Sequence, residues 1–485
     1  MYTPSHAQVI KSLRDSELGD GQLFSYCFKD GILYEPRSKE RGVWYLYDTH
    51  WSEDTSGQIY NLVATQYADL FIKAAVKEAE SGEKSELADE LWSHASYLKT
   101  ERGASRVLFW ASKQEGMTIQ PVDWDSDPYL LGVQNGVINL RDQGFTPSKP
   151  SQRIKGVAPV PFVGFDSPCP RWQQFLLEIF NQDTELVDFM HRLLGYAISG
   201  LTVEHIFPLL CGQGRNGKTL MIETVNSILG YSLSGPVQAE ILLDSSKNPN
   251  AASPHLLDLV NRRLSFVNET NEGWLNSASV KALTGGDTIV ARPLYGDPIR
   301  FKPKHKIFLV TNYRPRADAD DYALWQRVKV IEFPVSFVDD PRKDNERKAD
   351  KFLRLKLQEE SKGILGWLAC GFLQWQEQGL NPPDSVKLAV EKYREGEDNI
   401  SLFIKEQVSQ ETTLEVKAST LYDSYKSWVV SNGLRPLGSR KFYHKISSRF
   451  SKEERMDGNY YLGICPRIDY LNGQQSSIWD SKNGT

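Results

Sequence analysis

The eight residues Gly212-Gln213-Gly214-Arg215-Asn216-Gly217-Lys218-Thr219 meet the pattern GxxxxGK[ST] at every fixed position. No other segment constrains the fold as strongly. Such a loop works only between a buried strand and a helix, and the flanks supply both. Ile206-Phe207-Pro208-Leu209-Leu210-Cys211 reads as an apolar strand entering the loop, and Leu220, Met221, Ile222, Val225, Ile228 and Leu229 mark a helix leaving it. Glycines let the backbone curl so that its N–H groups face phosphate oxygens, and the helix N-terminus adds a positive field. Lys218 would bring a point charge to the β- and γ-phosphates and Thr219 a hydroxyl to Mg²⁺, so ATP and Mg²⁺ are the expected ligands.

A chain of 485 residues exceeds one hydrophobic core and implies two to four domains. Its 40% hydrophobic and 25% charged content is that of an ordinary globular protein. Net charge of −5 offers no global attraction to nucleic acid, so DNA contact must come from local basic patches. Cys27, Cys169, Cys211, Cys370 and Cys465 are scattered, without metal-ligand or disulfide spacing. The longest apolar stretch, 364–373, is too short to span a bilayer, and the first residues lack a signal-peptide layout. The expectation is a soluble protein of a reducing cytoplasm with no membrane partner.

Along the chain, residues 1–165 read as an α+β domain. Strand-like aromatic runs at 23–27 and 42–47 precede helical patterns at 61–80 and 86–115. A hairpin follows at 130–140 around Asn135-Gly136. Pro147, Pro150, Pro159, Pro161, Pro168 and Pro170 then suggest a linker. A helical segment over 166–200 leads into the nucleotide core at 201–337, and a helical lid or connector covers 338–398, where the charged stretch 338–351 reads as solvated. Within 399–485, helices at 400–408, 419–431 (Ser419 as N-cap) and 439–450 precede an Asp457-Gly458-Asn459 turn. Helix, helix, helix, hairpin is the order of a winged-helix-like module.

Downstream segments narrow the chemistry. Leu264-Ser265-Phe266-Val267-Asn268-Glu269 is an apolar strand ending in polar groups, where a Walker B strand would serve Mg²⁺ and the attacking water. Glu269 fits a general base. An amide is a poorer Mg²⁺ ligand than a carboxylate, so metal binding would draw on Thr219, Asn268 and Glu269 together, and the role of Glu269 stays open between ligand and base. Lys306-Ile307-Phe308-Leu309-Val310-Thr311-Asn312 is a second such strand, whose Asn312 can orient the lytic water. Arg327, before the strand Val328-Lys329-Val330-Ile331, is either a surface ion-pair residue or an arginine finger for a neighbouring subunit.

Together these segments, with Val280-Lys281-Ala282-Leu283-Thr284-Gly285-Gly286-Asp287-Thr288-Ile289, Leu309-Val310-Thr311-Asn312-Tyr313-Arg314-Pro315-Arg316 and Leu324-Trp325-Gln326-Arg327, resemble superfamily 3 helicases. The nearest likeness is to the helicase half of phage, plasmid and poxvirus primase-helicases, over roughly residues 30–465. Many members carry two acidic residues where this chain has Asn268-Glu269. The resemblance implies an α/β fold with an AAA+-like core and a homo-oligomeric ring, a hexamer in this family. It implies a replicative DNA helicase of a phage, plasmid or mobile element acting on single-stranded and forked DNA.

In the resembling family a hairpin between the second and third motifs enters the ring channel. Here residues 287–302 form it, with Arg292 and Lys302 able to meet phosphates and Tyr295 able to stack; a solvated structural hairpin is the alternative. In the tail, Phe442, Ile446 and Phe450 form a buried stripe. Arg440, Lys441 and Lys445 lie off it as DNA-facing candidates, in a stretch where Arg449, Lys452 and Arg455 add charge against only Glu453 and Glu454. Asp123, Asp125 and Asp127 sit in a Pro-bounded turn rather than at a strand end, so primase chemistry is expected elsewhere, on a separate primase or polymerase partner. Two other readings remain: an ATP-switched origin-binding or helicase-loading protein, and a metabolic phosphotransferase, which the downstream motifs disfavour.

Overall fold

The computed structural model describes residues 2–37, 42–80, 85–243, 254–268, 273–292, 298–434 and 436–467. The chain divides into two compact units. The first runs up to Pro315 and resumes over Gln326–Lys387; the second joins Arg316–Trp325 to the chain from Leu388 onward.

The first unit begins with a helical cluster. The stretch 23–27, expected as a strand, lies inside the helix Ser16–Phe28. Leu23, Phe24, Cys27 and Phe28 are buried together, a spacing that belongs to one helix face and not to strand alternation. The pattern at 86–115 is two helices, Glu86–Leu98 and Glu101–Ala111, because the Thr100 side chain accepts from Gly103 N at 3.1 Å and starts a new helix. The hairpin forms as read, with Leu130–Val133 antiparallel to Gly136–Asn139.

The proline-rich stretch is not a linker. Val157–Ala158 adds a parallel strand to that hairpin, and Ile154, Ala158, Val160 and Phe162 are buried. Helices α1 (Pro170–Ile179) and α2 (Thr184–Ile198) share one hydrophobic core with this sheet and with the nucleotide core. Each proline restricts its own φ and the residue before it, which favours extended chain; burial comes from the apolar residues between them.

The centre of the unit is a five-stranded parallel sheet. Its strands are β1 (Phe207–Cys211), β2 (Ser234–Pro236), β3 (Leu264–Asn268), β4 (Lys306–Thr311) and β5 (Val328–Glu332), in the spatial order β5-β1-β4-β3-β2. All of β1 and β4 is buried, as a sheet covered on both faces requires. Pro208 has no N–H to donate, and the β1–β4 ladder begins after it, at Leu209. Helix α3 (Lys218–Leu229) follows β1. Helix α4 (Ser361–Gln378) packs on α2 so closely that a Cβ on Gly195 would lie 2.2 Å from the Gly371 carbonyl carbon. Side chains at that crossing would force the helices apart.

In the second unit a long strand, Val408–Lys417, separates the helices Asn399–Gln407 and Ala418–Ser431. Helix α5 (Ser439–Ser447) and the strands Lys452–Arg455 and Gly458–Pro466 follow. The sheet order puts the last strand in the middle. Ser419 is not the cap expected of it: the N-cap position is Lys417, and no side chain caps that helix. Among the described residues no helix is long and apolar enough to cross a membrane.

Candidate nucleotide and nucleic-acid sites

Strand order decides what meets the phosphate loop. β4 lies directly beside β1, with Thr311 opposite Cys211, and β3 lies beside β4, with Asn268 opposite Val310. The carboxyl ends of three strands therefore converge where an open parallel sheet commonly binds ligands. The loop itself is shaped by Gly214, Arg215 and Gly217 in the left-handed region, at φ of +95°, +50° and +85°. At Gly217 a Cβ would also lie 2.6 Å from Ile179, so this position takes only glycine. Gly217 is the N-cap of α3 and offers no side chain to the first helical amides, leaving them for an anion.

Lys218 is 4% exposed rather than free in solvent. Its Nζ donates to Gly212 O at 2.7 Å, Asn216 Oδ1 at 3.0 Å and Asn312 Oδ1 at 3.1 Å. Two residues far apart in sequence, Lys218 and Asn312, thus touch, and all three acceptors are neutral oxygens. A phosphate oxygen would be a further, charge-assisted acceptor for this buried cation.

A cavity of about 570 Å³ opens here, lined by residues 214–220 and 310–312, Asn268, and an apolar wall of Phe175, Phe337 and Leu353. Gly212 and Gln213 precede the lining stretch of the loop. Asn216 is buried, and its Nδ2 lacks an acceptor among the described residues, which suits a phosphate oxygen. Thr219 and Asn268 are exposed on this cavity and fit as Mg²⁺ donors. Glu269 lies outside the described residues. Phe337, Ala349, Asp350 and Leu353 were missed in the sequence because they fall in and beside the charged stretch read as solvated. Burial raises the neighbouring Cys211 thiol to about 11, so it is unreactive near neutrality.

Arg327 sits at the amino-terminal end of the strand beside β1, away from the loop. It ends the helix Tyr322–Arg327 and precedes β5, whose last residue, Glu332, is the one level with Cys211. Five residues at about 3.3 Å each put some 16 Å between Arg327 and its own phosphate loop, beyond the reach of an arginine side chain.

The hairpin Ile289–Ala291/Ile299–Phe301 is antiparallel, with Val290 opposite Arg300. Its turn, with Tyr295, lies outside the described residues. Ile289, Ala291 and Phe301 are buried, whereas Val290, Arg292, Arg300 and Lys302 are exposed. Alternation places those four on one face. Arg300 is an additional candidate, found by counting the strand in twos.

In the second unit the DNA-facing candidates part company. Arg440 and Lys441 are exposed, but Lys445 is only 18% exposed and its Nζ lies 2.6 Å from Asp320 Oδ1 and 3.7 Å from Asp398 Oδ1. Lys445 is therefore not a free phosphate contact. Asp125, weighed and set aside for primase chemistry, is buried and accepts from the backbone amides of Lys155 and Gly156 at 2.9 and 3.0 Å. Its carboxylate locks a turn.

The family described as D5 N terminal like matches residues 23–181, a family of unknown function matches 210–327, and the family described as poxvirus D5 protein-like matches 395–472. A "Putative helicase" of Acanthamoeba polyphaga mimivirus is 27% identical over 83% of this chain and 44% of its own length. A "Putative primase" of African swine fever virus is 23% identical over 64% of this chain and 34% of its own. A "Putative helicase" of Frog virus 3 is 22% identical over 64% and 39%, respectively. The chain thus spans less than half the length of these relatives.

Proposed function

The chain is related to the D5-type helicases and primases of large DNA viruses, and from that relationship we propose that it is the ATP-driven motor of a replicative DNA helicase, working as a ring. The observation that carries this reading is the 3.1 Å contact between Lys218 and Asn312, both of which line a cavity of about 570 Å³. Lys218 and the first amides of α3 would hold the β- and γ-phosphates, and the Phe175–Phe337 wall offers a surface to a base ring. Mg²⁺, held by Thr219 and Asn268 and by Glu269 if that side chain turns to it, would neutralise charge on the phosphate oxygens.

Asn312, bonded to Lys218, stands where it can orient the attacking water as the γ-phosphate settles on the lysine. Glu269, next after Asn268 at the end of β3, is assigned the proton of that water. Arg327 cannot reach its own loop, so it serves a neighbouring subunit or takes no part in the chemistry. Single-stranded DNA would be gripped by the exposed hairpin face, with Arg292, Arg300 and Lys302 on phosphates and Tyr295 stacking. Asp125 is tied into a turn by backbone amides, so primer synthesis is assigned to a separate primase or polymerase, the expected partner.

Forked-DNA unwinding with ATP tests the reading. We expect ATPase stimulated by single strands and duplex separation beyond the binding footprint. ATP hydrolysis with DNA binding but no unwinding would assign the chain to an ATP-switched origin-binding or loading role.

A further inference from the structure

The segment Arg316–Trp325 leaves the first unit between Asn312 and Arg327 and belongs to the second. It is well fixed there. Trp325 Nε1 donates to Asp318 O at 2.9 Å, Ala317 N donates to Glu397 Oε2 at 3.0 Å, and Arg394 Nε donates to Ala319 O at 2.9 Å. The Trp325 ring meets Tyr393 edge-on at 4.9 Å. Those contacts present three carboxylates, Asp318, Asp320 and Asp321, in the sequence Ala-Asp-Ala-Asp-Asp.

Two of them meet the basic face of α5. Asp320 lies 2.6 Å from Lys445, and Asp318 lies 4.0 Å from Lys441. Asp398 also faces Lys445 but has structural duties: it caps its own helix through Ile400 N and Ser401 N, and it pairs with Arg449 at 2.9 Å. Burial alone would raise the Asp398 carboxyl; the Ser401 and Arg449 bonds and the Lys445 charge outweigh it and bring it to about 2. Asp318 and Asp320, by contrast, have side chains 43% and 46% exposed. The Asp318–Lys441 pair, exposed on both sides, is weak and exchanges partners readily; Lys445, more covered, keeps Asp398 as a neighbour when Asp320 leaves it.

We propose that residues 317–321 act as a phosphate-mimicking mask on α5, displaced when a nucleic-acid backbone binds Lys441 and Lys445. The proposal rests on the reading of the chain as a DNA-dependent motor and adds a regulator to it. The masking segment lies between Asn312 and Arg327 in the chain.

The test compares the full chain with Asp318→Asn/Asp320→Asn, in which asparagine at 318 can keep the turn bond from Asp320 N at 3.0 Å. Binding of a fluorescein-labelled single strand is measured by anisotropy across salt concentrations. Asp339→Asn/Asp340→Asn, on an exposed stretch of the first unit, is the control for net charge. Unmasking should tighten binding on the order of fivefold and steepen the log–log salt slope by about 1.4, as two lysines then release counterions instead of exchanging carboxylates. The DNA concentration for half-maximal ATPase stimulation should fall by the same factor.

Unchanged or weaker binding in the 318/320 variant overturns the mask, and so does equal tightening in the 339/340 control. If the wild type hydrolyses no ATP but the 318/320 variant still binds DNA more tightly, the mask stands and the motor reading falls.

Discussion

Lys218 is buried, so Lys218→Ala removes packing and three hydrogen bonds as well as the charge that the phosphates need. Its ATP turnover should fall by about a thousandfold, an electrostatic loss typical of a phosphate-binding cation. Near-normal turnover in a phosphate-release assay would remove the site assignment. A second residue-scale prediction concerns His305. It is buried at the foot of β4, and burial first, then the Lys306 charge, lowers its pKa to about 4. With the folded pKa below the unfolded value of about 6.5, the neutral ring contributes stability that is full above pH 6.5 and is lost as pH falls toward 4, amounting to about 3 kcal/mol. His305→Gln should flatten the acid side of the thermal-midpoint profile over that window; an unchanged profile would place the acid sensitivity elsewhere.

Among the elements, the hairpin and β5 carry separate expectations. If the exposed hairpin face grips a strand, Arg292→Ala/Arg300→Ala should weaken single-strand affinity and reduce its salt dependence, while basal ATPase survives. The inner residues Ile289, Ala291 and Phe301 are untouched by that change, so circular dichroism should not shift. Normal unwinding by the double variant would move the grip to another element. β5 separates Arg327 from its own loop by a strand length, so any role for it in hydrolysis requires a shared site. Arg327→Ala and Lys218→Ala proteins, each inactive alone, should recover part of the ATPase when mixed. No recovery in oligomers verified to contain both would leave Arg327 as a surface residue.

For the whole molecule, the division of the chain matters more than the number of domains. Cutting near residue 399 would seem to remove only a tail. Residues 316–325 rest on Tyr393, Arg394 and Glu397, so a cut at residue 399 spares their support, whereas a cut before Leu388 removes it. Truncation after residue 387 should therefore lower ATPase as well as DNA binding, because the link between Asn312 and Arg327 loses its anchor. Full DNA-stimulated turnover in a soluble truncated protein would show that the link holds without its partners. The foot of the sheet is anchored differently. Arg263 is 1% exposed and donates to the carbonyls of Asp127, Pro128 and Leu130 at 3.2–3.4 Å, and the buried Lys306 amine donates to those of Ser199, Leu201 and Lys304. Burial lowers the pKa of both. The strands whose upper ends carry Asn268 and Asn312 are thus bolted at their lower ends to the region before the phosphate loop.

The phosphate loop, the apolar strands on either side of it and the 130–140 hairpin were legible in the residue order, because each rests on local rules: glycine where φ must be positive, continuous apolar runs where a strand is buried on both faces, Asn-Gly where a hairpin turns. The strand Val408–Lys417 was not read, because the polar residues between Val408, Leu414 and Val416 hide its period and its pairing is irregular between Gln410 and Glu415. What could not be read was adjacency. Nothing local says that β4 inserts beside β1 and so brings Asn312 to Lys218, or that proline-rich chain folds into the core. Nor does anything local say that an acidic stretch beside the third motif turns to face Lys445. Those contacts join residues far apart in sequence, and the hydrophobic closure of the sheet and of the second unit sets them; local propensity carries no information about which distant surface a segment will meet.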